Sequence, residues 1–209
     1  MNKNITKSHT LIILDWDDTL FPTNWVMKNG INLVNTFNKD KYIIYFQKLD
    51  NVLSRVLLTL SKYGKVIIVT NALPEWIKVS SIVMPKTFLL VKKIKVISAR
   101  GNYQQYSSNA NDWKEMAFKN EVAIEFKNKN FINVISVGDA EYEYKALISL
   151  YKWNHKTEKI HKILKSIKFM KDPSHDVLID ELEVLMISIP EISKKTTHLD
   201  LKFTHKKII

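Results

Sequence analysis

The chain has 209 residues, 45% of them apolar and none of them cysteine, and its 32 basic and 21 acidic side chains leave a formal net charge of +11. That length fits one domain, or one with a modest insertion, around an ordinary packed core. The lack of cysteine excludes a disulfide framework and thiolate metal sites and fits a reducing compartment. No apolar run approaches the roughly 20 residues of a membrane helix, and the polar start, 1–8, resembles no signal peptide. The expectation is a cytoplasmic protein with no membrane partner. The positive charge favours polyanions such as nucleic acid, phosphorylated protein or anionic lipid. A lysine-rich composition inherited from AT-rich coding sequence gives the same total, and the lysine runs at 92–95, 194–195 and 206–207 are scattered.

In chain order, Leu11-Ile12-Ile13-Leu14 reads as a buried parallel strand over about residues 9 to 15. It ends in Asp15-Trp16-Asp17-Asp18-Thr19-Leu20, three carboxylates within four residues and then a hydroxyl. Residues 21–40 read as a loop or short flap. Over 41–63 apolar residues recur at three and four, which predicts an amphipathic helix, with Asn38 or Asp40 to cap its start and Gly64 in the left-handed position after its end. Val66-Ile67-Ile68-Val69 is a second buried strand, ending at Thr70-Asn71. A helix over 73–83 with Pro74 in its first turn, a short strand over 95–98, a polar loop over 101–111 and a helix over 112–127 follow. The strand 131–137 ends at Gly138-Asp139, and 141–151 is a helix. A strand over 163–170, a helix from Pro173 to about Ile187 and an alternating, edge-like strand over 198–204 complete the chain. Alternating strands and helices predict an α/β fold, a doubly wound, mostly parallel Rossmann-like sheet with helices on both faces. It is read as a single domain over 1–209, with 155–209 extending the sheet.

In such a sheet Asp15-Trp16-Asp17-Asp18-Thr19, Thr70-Asn71 and Gly138-Asp139 leave their strands at one edge, where ligands bind. Lys114 opens a helix beside them. Buried carboxylates are costly unless compensated, and a hard divalent cation compensates them while sharing itself with phosphate oxygens. A lysine and a hydroxyl can hold the remaining phosphate oxygens. One carboxylate can attack phosphorus, and a second, two residues on, can move the proton. Taken singly, Asp17 and Asp18 read as turn-capping acids, Thr70-Asn71 as a strand exit, Lys114 as a solvated lysine and Asp139 as part of a turn. The ordered set points to a phosphoryl site.

Asp15-x-Asp17-x-Thr19-Leu20 after an apolar strand resembles motif one of the haloacid dehalogenase-like superfamily. Val66 to Asn71 resembles motif two, Lys114 the motif three lysine, and Gly138-Asp139-Ala140-Glu141-Tyr142-Glu143 the acidic motif four. The resemblance covers residues 9 to 145. It implies a Mg²⁺-dependent phosphatase with Asp15 as nucleophile and metal ligand. Asp17 would be the general acid/base, with its carbonyl on the metal. Thr70 and Lys114 would hold the phosphoryl group, with Thr19 and Asn71 also on the substrate, and Asp139 would be a metal ligand. Glu143 stands where an Asp is usual, which suits a water-mediated contact to the metal, and Glu141 is the alternative. Dehalogenases lack the second acid and P-type ATPases carry Thr there, so Asp17 favours a phosphatase, with a phosphomutase as the lesser option.

Inserted caps usually supply specificity in that superfamily, and neither 21–65 nor 73–113 leaves room for a folded one. An open site suits a macromolecular substrate, a phosphoprotein or a nucleic-acid end, although a small phosphate ester also fits. The alternatives are a silent module that binds a phosphorylated partner, or a nucleic-acid-binding protein with an incidental motif. His9, His155, His161, His175, His198 and His205 show no ligand spacing and read as structural or surface residues. Trp16 should face into packing. Trp25, in the flap, is a candidate for touching substrate.

Overall fold

The computed structural model describes residues 5–34, 40–127, 129–153, 161–204 and 207–208. The strands are β1 (Thr10–Leu14), β2 (Lys65–Thr70), β3 (Lys95–Ser98), β4 (Phe131–Gly138), β5 (His161–Lys168), β6 (Leu199–Thr204) and β7 (Lys207–Ile208). They form one sheet in the order β3-β2-β1-β4-β5-β6-β7. The first six are parallel, and β7 pairs antiparallel with β6. From β1 the chain steps outward to β2 and β3, then returns to the other side of β1 as β4 and steps outward again. The reversal places a crevice at the carboxyl ends of β1 and β4, where an open α/β sheet binds its ligands.

The described helices are α1 (Thr23–Lys28), α2 (Ile43–Tyr63), α3 (Pro74–Ile82), α4 (Pro85–Val91), α5 (Ala99–Tyr103), α6 (Ala110–Glu125), α7 (Glu141–Lys152) and α8 (His175–Lys194). Alternation along β1 shows why both faces need covering. Ile12 and Leu14 enter one core with Leu49, Leu53 and Leu57 of α2 and Leu178, Leu182 and Leu185 of α8. Leu11 and Ile13 enter the other with Ala117, Phe118 and Val122 of α6 and Ala146, Leu147 and Leu150 of α7. This is the doubly wound α/β architecture, and among the described residues no helix is long and apolar enough to cross a membrane.

Several local expectations are corrected. The flap contains α1 rather than loop alone. Asn38 lies outside the described residues, and Asp40 does not cap α2, whose N-cap position is Tyr42 with no side-chain cap. Gly64 is extended at φ −164°, not left-handed. What it provides is room, since a Cβ there would sit 2.8 Å from Thr10 Cγ2. The expected polar loop over 101–111 begins in α5, capped by Ser98, and ends in the first turn of α6. α4, which the sequence reading leaves out, starts at Pro85 and is held by Asp50 of α2, whose carboxylate accepts from Lys86 N at 3.0 Å and Thr87 N at 2.7 Å. α8 runs past the expected end at 187 and through Pro190, because its buried stripe continues to Ile189 and Ile192. Proline costs one helical hydrogen bond, and the continuing burial outweighs it.

Lys165 of β5 is fully buried. Among the described residues its Nζ donates only to Ser193 O, 3.1 Å away in the last turn of α8. Burial pulls its ammonium down from 10.5 to about 8. Folded and unfolded chains are both protonated below pH 8, where the desolvation cost is complete, and the unfolded chain alone stays protonated between about 8 and 10.5. Stability contributed by this group therefore rises with pH across that window. Lys165→Met should be more stable than the parent at pH 7 by roughly 2 kcal/mol. The gap should close towards pH 10.5, as read by urea denaturation at the two pH values.

Candidate active site

The segment after β1 folds into a tight loop rather than continuing the strand. Trp16 O accepts from the backbone N–H groups of Leu20 and Phe21 at 2.9 and 3.0 Å, and Asp18 N donates to Phe21 O at 2.7 Å. Asp18 pays for the turn with a left-handed φ of 53°. Trp16 drives it by packing inward, fully buried against Phe21 with its Nε1 donating to Ser80 Oγ. The acids on either side are left at a cavity of about 260 Å³ whose walls include Asp15, Asp17, Asp18, Thr70, Lys114 and Asp139.

At its floor, Lys114 of α6 is 1% exposed. Its Nζ donates to Asp15 Oδ1 at 2.6 Å and also to Glu143 Oε1. Burial pushes the Asp15 carboxyl well above its ordinary value against the pull of Lys114. Burial would lower the ammonium, but the two carboxylates outweigh it and hold Lys114 above its ordinary range. Asp17 is fixed through one oxygen only, Oδ1 accepting from Thr23 Oγ1 at 2.5 Å and from Trp76 Nε1 at 2.7 Å. Thr70 ends β2, and its Oγ1 accepts from Ala72 N at 3.0 Å, so its hydroxyl hydrogen remains to be donated. Asn71 Oδ1 is buried without a partner among the described residues.

Asp15, Asp139 and Glu143 each offer one oxygen, and these lie within 4.8 Å of one another. Three carboxylates face a single ammonium. Burial, then the charges of Glu143 and Asp18, push Asp139 up to about 7. Burial, with Asp17 beside it, pushes Asp18 up to about 6. An all-oxygen set carrying surplus negative charge has the chemistry of a hard divalent cation site. Glu143 also accepts from Ala140 N at 3.2 Å with Oε2, so both its oxygens are engaged. Glu141 stands outside the cavity, paired with Lys168. Gly138 makes room for Glu143, because a Cβ there would overlap that side chain.

The sequence-derived candidates Asp15, Asp17, Thr70, Asn71, Lys114, Asp139 and Glu143 all line this cavity. Thr19 does not. It is fully buried, with its hydroxyl unpartnered among the described residues, because the turn at Asp18 points it inward. Trp25 does not line it either, and packs against Tyr42, Tyr45, Phe46 and His175. None of the described histidines lines it. His175 contacts Tyr45 O and His198 accepts from Leu164 N, while His155 and His205 lie outside the described residues. Further lining residues include Asn24, Tyr142, Lys171 and Asp172. Asn24 Nδ2 donates to Asp172 Oδ1, and Asn24 N donates to Asp18 Oδ1 at 2.9 Å. The loop carrying Lys171 and Asp172 follows β5, so the strand-end argument that singles out Thr70 and Asp139 points to this loop but not to the two residues, which lie three and four positions past the strand. It is anchored from behind by the fully buried Glu181, which accepts from Met170 N at 2.5 Å.

Protein-family models, curated proteins and solved structures were all compared with the chain, and none matches.

Lys114→Met leaves two buried carboxylates without a counter-charge. It should cost about 3–5 kcal/mol at pH 7. Acids whose folded pKa is raised bind protons more tightly folded than unfolded, so the deficit should narrow as the pH falls from 7 towards about 4. Paired urea titrations of parent and variant across that range check this.

Proposed function

We propose that the chain is a Mg²⁺-dependent phosphomonoesterase of the haloacid dehalogenase-like type, working through an aspartyl-phosphate on Asp15. The observation that carries the reading is the convergence of Asp15, Asp17, Thr70, Lys114 and Asp139, from the ends of β1, β2 and β4 and the start of α6, on one cavity. A binding module has no need of a second acid two residues from the first, held by two donors on one oxygen with the other left over.

Asp15 and Asp139 would hold the cation, with Glu143 directly or through water, and when bound it offsets charge on the phosphoryl oxygens. Lys114 and the Thr70 hydroxyl would hold the other phosphoryl oxygens. Lys114 also fixes Asp15 through Oδ1, leaving Oδ2 to attack. The Asp15 oxygen–phosphorus bond forms as the phosphorus–ester oxygen bond breaks, and the proton on Asp17 goes to the departing alcohol. Water then attacks phosphorus, gives a proton to Asp17 and releases Asp15 and inorganic phosphate. Most of the rate comes from fixed charges aimed at a migrating anion.

The test is hydrolysis of p-nitrophenyl phosphate. Activity should require Mg²⁺, vanish with EDTA, and fall by about a thousandfold or more in Asp15→Asn. Asp17→Asn should lose far more activity on an alkyl phosphate than on p-nitrophenyl phosphate, whose leaving group needs little protonation. A folded protein that binds phosphate but turns over no ester on any panel member would replace this reading with a silent phosphate-binding module.

A further inference from the structure

Tyr142 stands at the mouth of the catalytic cavity. It lies in the first turn of α7, which runs back from the cavity along the outside of the sheet for 12 residues, about 18 Å at the helical rise. The outward side of α7 carries Tyr144, Lys145, Ile148, Tyr151 and Lys152, and Trp153 follows. Together with α6 these line a groove of about 570 Å³. Tyr144, Ile148 and Tyr151 also border a second depression, of about 330 Å³, against β5 and β6. They therefore form a ridge between two hollows, with Ile148 at 46% and Tyr151 at 63% exposure. Ile148 and Tyr151 thus leave apolar and aromatic surface open beside the two hollows, where a partner can pack.

Its charge specifies the partner. On the α6 side of the ridge the nearby acids are neutralised within the protein, Glu115 by Lys119 and Glu141 by Lys168, whereas the hollow against β5 and β6 carries the exposed Asp200, so a polyanion would run along the α6 side. Lys145 and Lys152 have no carboxylate partner among the described residues, and neither has Lys171 beside the cavity. Aromatic faces interleaved with unpaired ammonium groups match a strand that offers a π face and a phosphate at every unit. A duplex hides its base faces, and a peptide supplies no repeating anion.

We propose that this side of α7 is a docking track for single-stranded nucleic acid, leading a terminal phosphate past Tyr142 and Lys171 into the cavity. Removal of that phosphate rests on the phosphatase reading, whereas docking does not.

The test is fluorescence anisotropy with labelled oligonucleotides of about 12 nucleotides, with and without a terminal phosphate, in EDTA so that binding is read without turnover. Each variant is first checked for folding by circular dichroism. The parent should bind, and Tyr151→Ala should weaken binding about tenfold. Lys145→Gln with Lys152→Gln should weaken it similarly and flatten the slope of log affinity against log salt by about 1.4, roughly 0.7 for each lost phosphate contact. Lys92→Gln with Lys93→Gln, the same charge change beside β3, should leave affinity and slope unchanged. The proposal is overturned if the parent does not bind, if the β3 pair weakens binding as much, or if Tyr151→Ala binds like the parent. It is equally overturned if a phosphopeptide of matched charge proves to be the ligand these substitutions release. Parallel assays on p-nitrophenyl phosphate separate the two failures. Oligonucleotide binding through the track without any hydrolysis sinks the phosphatase reading alone, and hydrolysis without binding sinks the track alone.

Discussion

A single ammonium group, Lys114 Nζ, sits between two carboxylates that reach it from different parts of the chain, and all three are buried. Water screens such a cluster poorly, so removing Lys114 strands two carboxylates in a low-dielectric interior at a cost of several kcal/mol. The cluster therefore fixes the end of β1, the first turn of α7 and the start of α6 relative to one another. Packing places each member. Ile13 and Leu14 bury β1 up to Asp15, Ala117 and Phe118 seat α6 one turn beyond Lys114, and Ala146 and Leu147 do the same for α7 beyond Glu143.

The same cluster sets the electrostatics of what surrounds it. Lys114 is committed to Asp15 and Glu143, and Asp139 and Asp18 form no ion pair among the described residues, so burial leaves both holding their protons more tightly than surface acids do. The cavity is short of positive charge at its floor, and at its edge Lys171 has no carboxylate partner among the described residues. A divalent cation bound among Asp15, Asp139 and Glu143 would correct the deficit at the floor, which is why the donor set and the proton affinities argue for the same kind of ligand.

The architecture was legible in the sequence where the physics is local. Apolar-rich runs such as Val66 to Val69 and Phe131 to Val137, short and β-branched, read as buried strands, and the abrupt polar residues after them mark the carboxyl edge of the sheet. The long helices α2, α6 and α7 announced themselves by period. α4 and α5 did not, because seven and five residues hold too few turns to show one. Gly64 and Thr19 depended on what lies beside them in space. The first needs room next to Thr10, and the second is rotated inward by the left-handed residue before it. Trp25 found aromatic partners in α2 and at the start of α8, a contact that sequence spacing does not encode. Lys171 and Asp172 follow β5 by three and four residues rather than closing the strand directly, so their place beside the cavity shows only in the fold.

The bond between Asn24 and Asp172 joins segments 148 residues apart at the lip of the cavity, and it is exposed. An exposed hydrogen bond contributes only about 1 kcal/mol, far less than the buried ion cluster at the floor. The two ends of the cavity consequently differ in stiffness. Thermal motion can part the lip without disturbing the floor, so the aperture can widen while Asp15, Lys114 and Glu143 keep their mutual geometry.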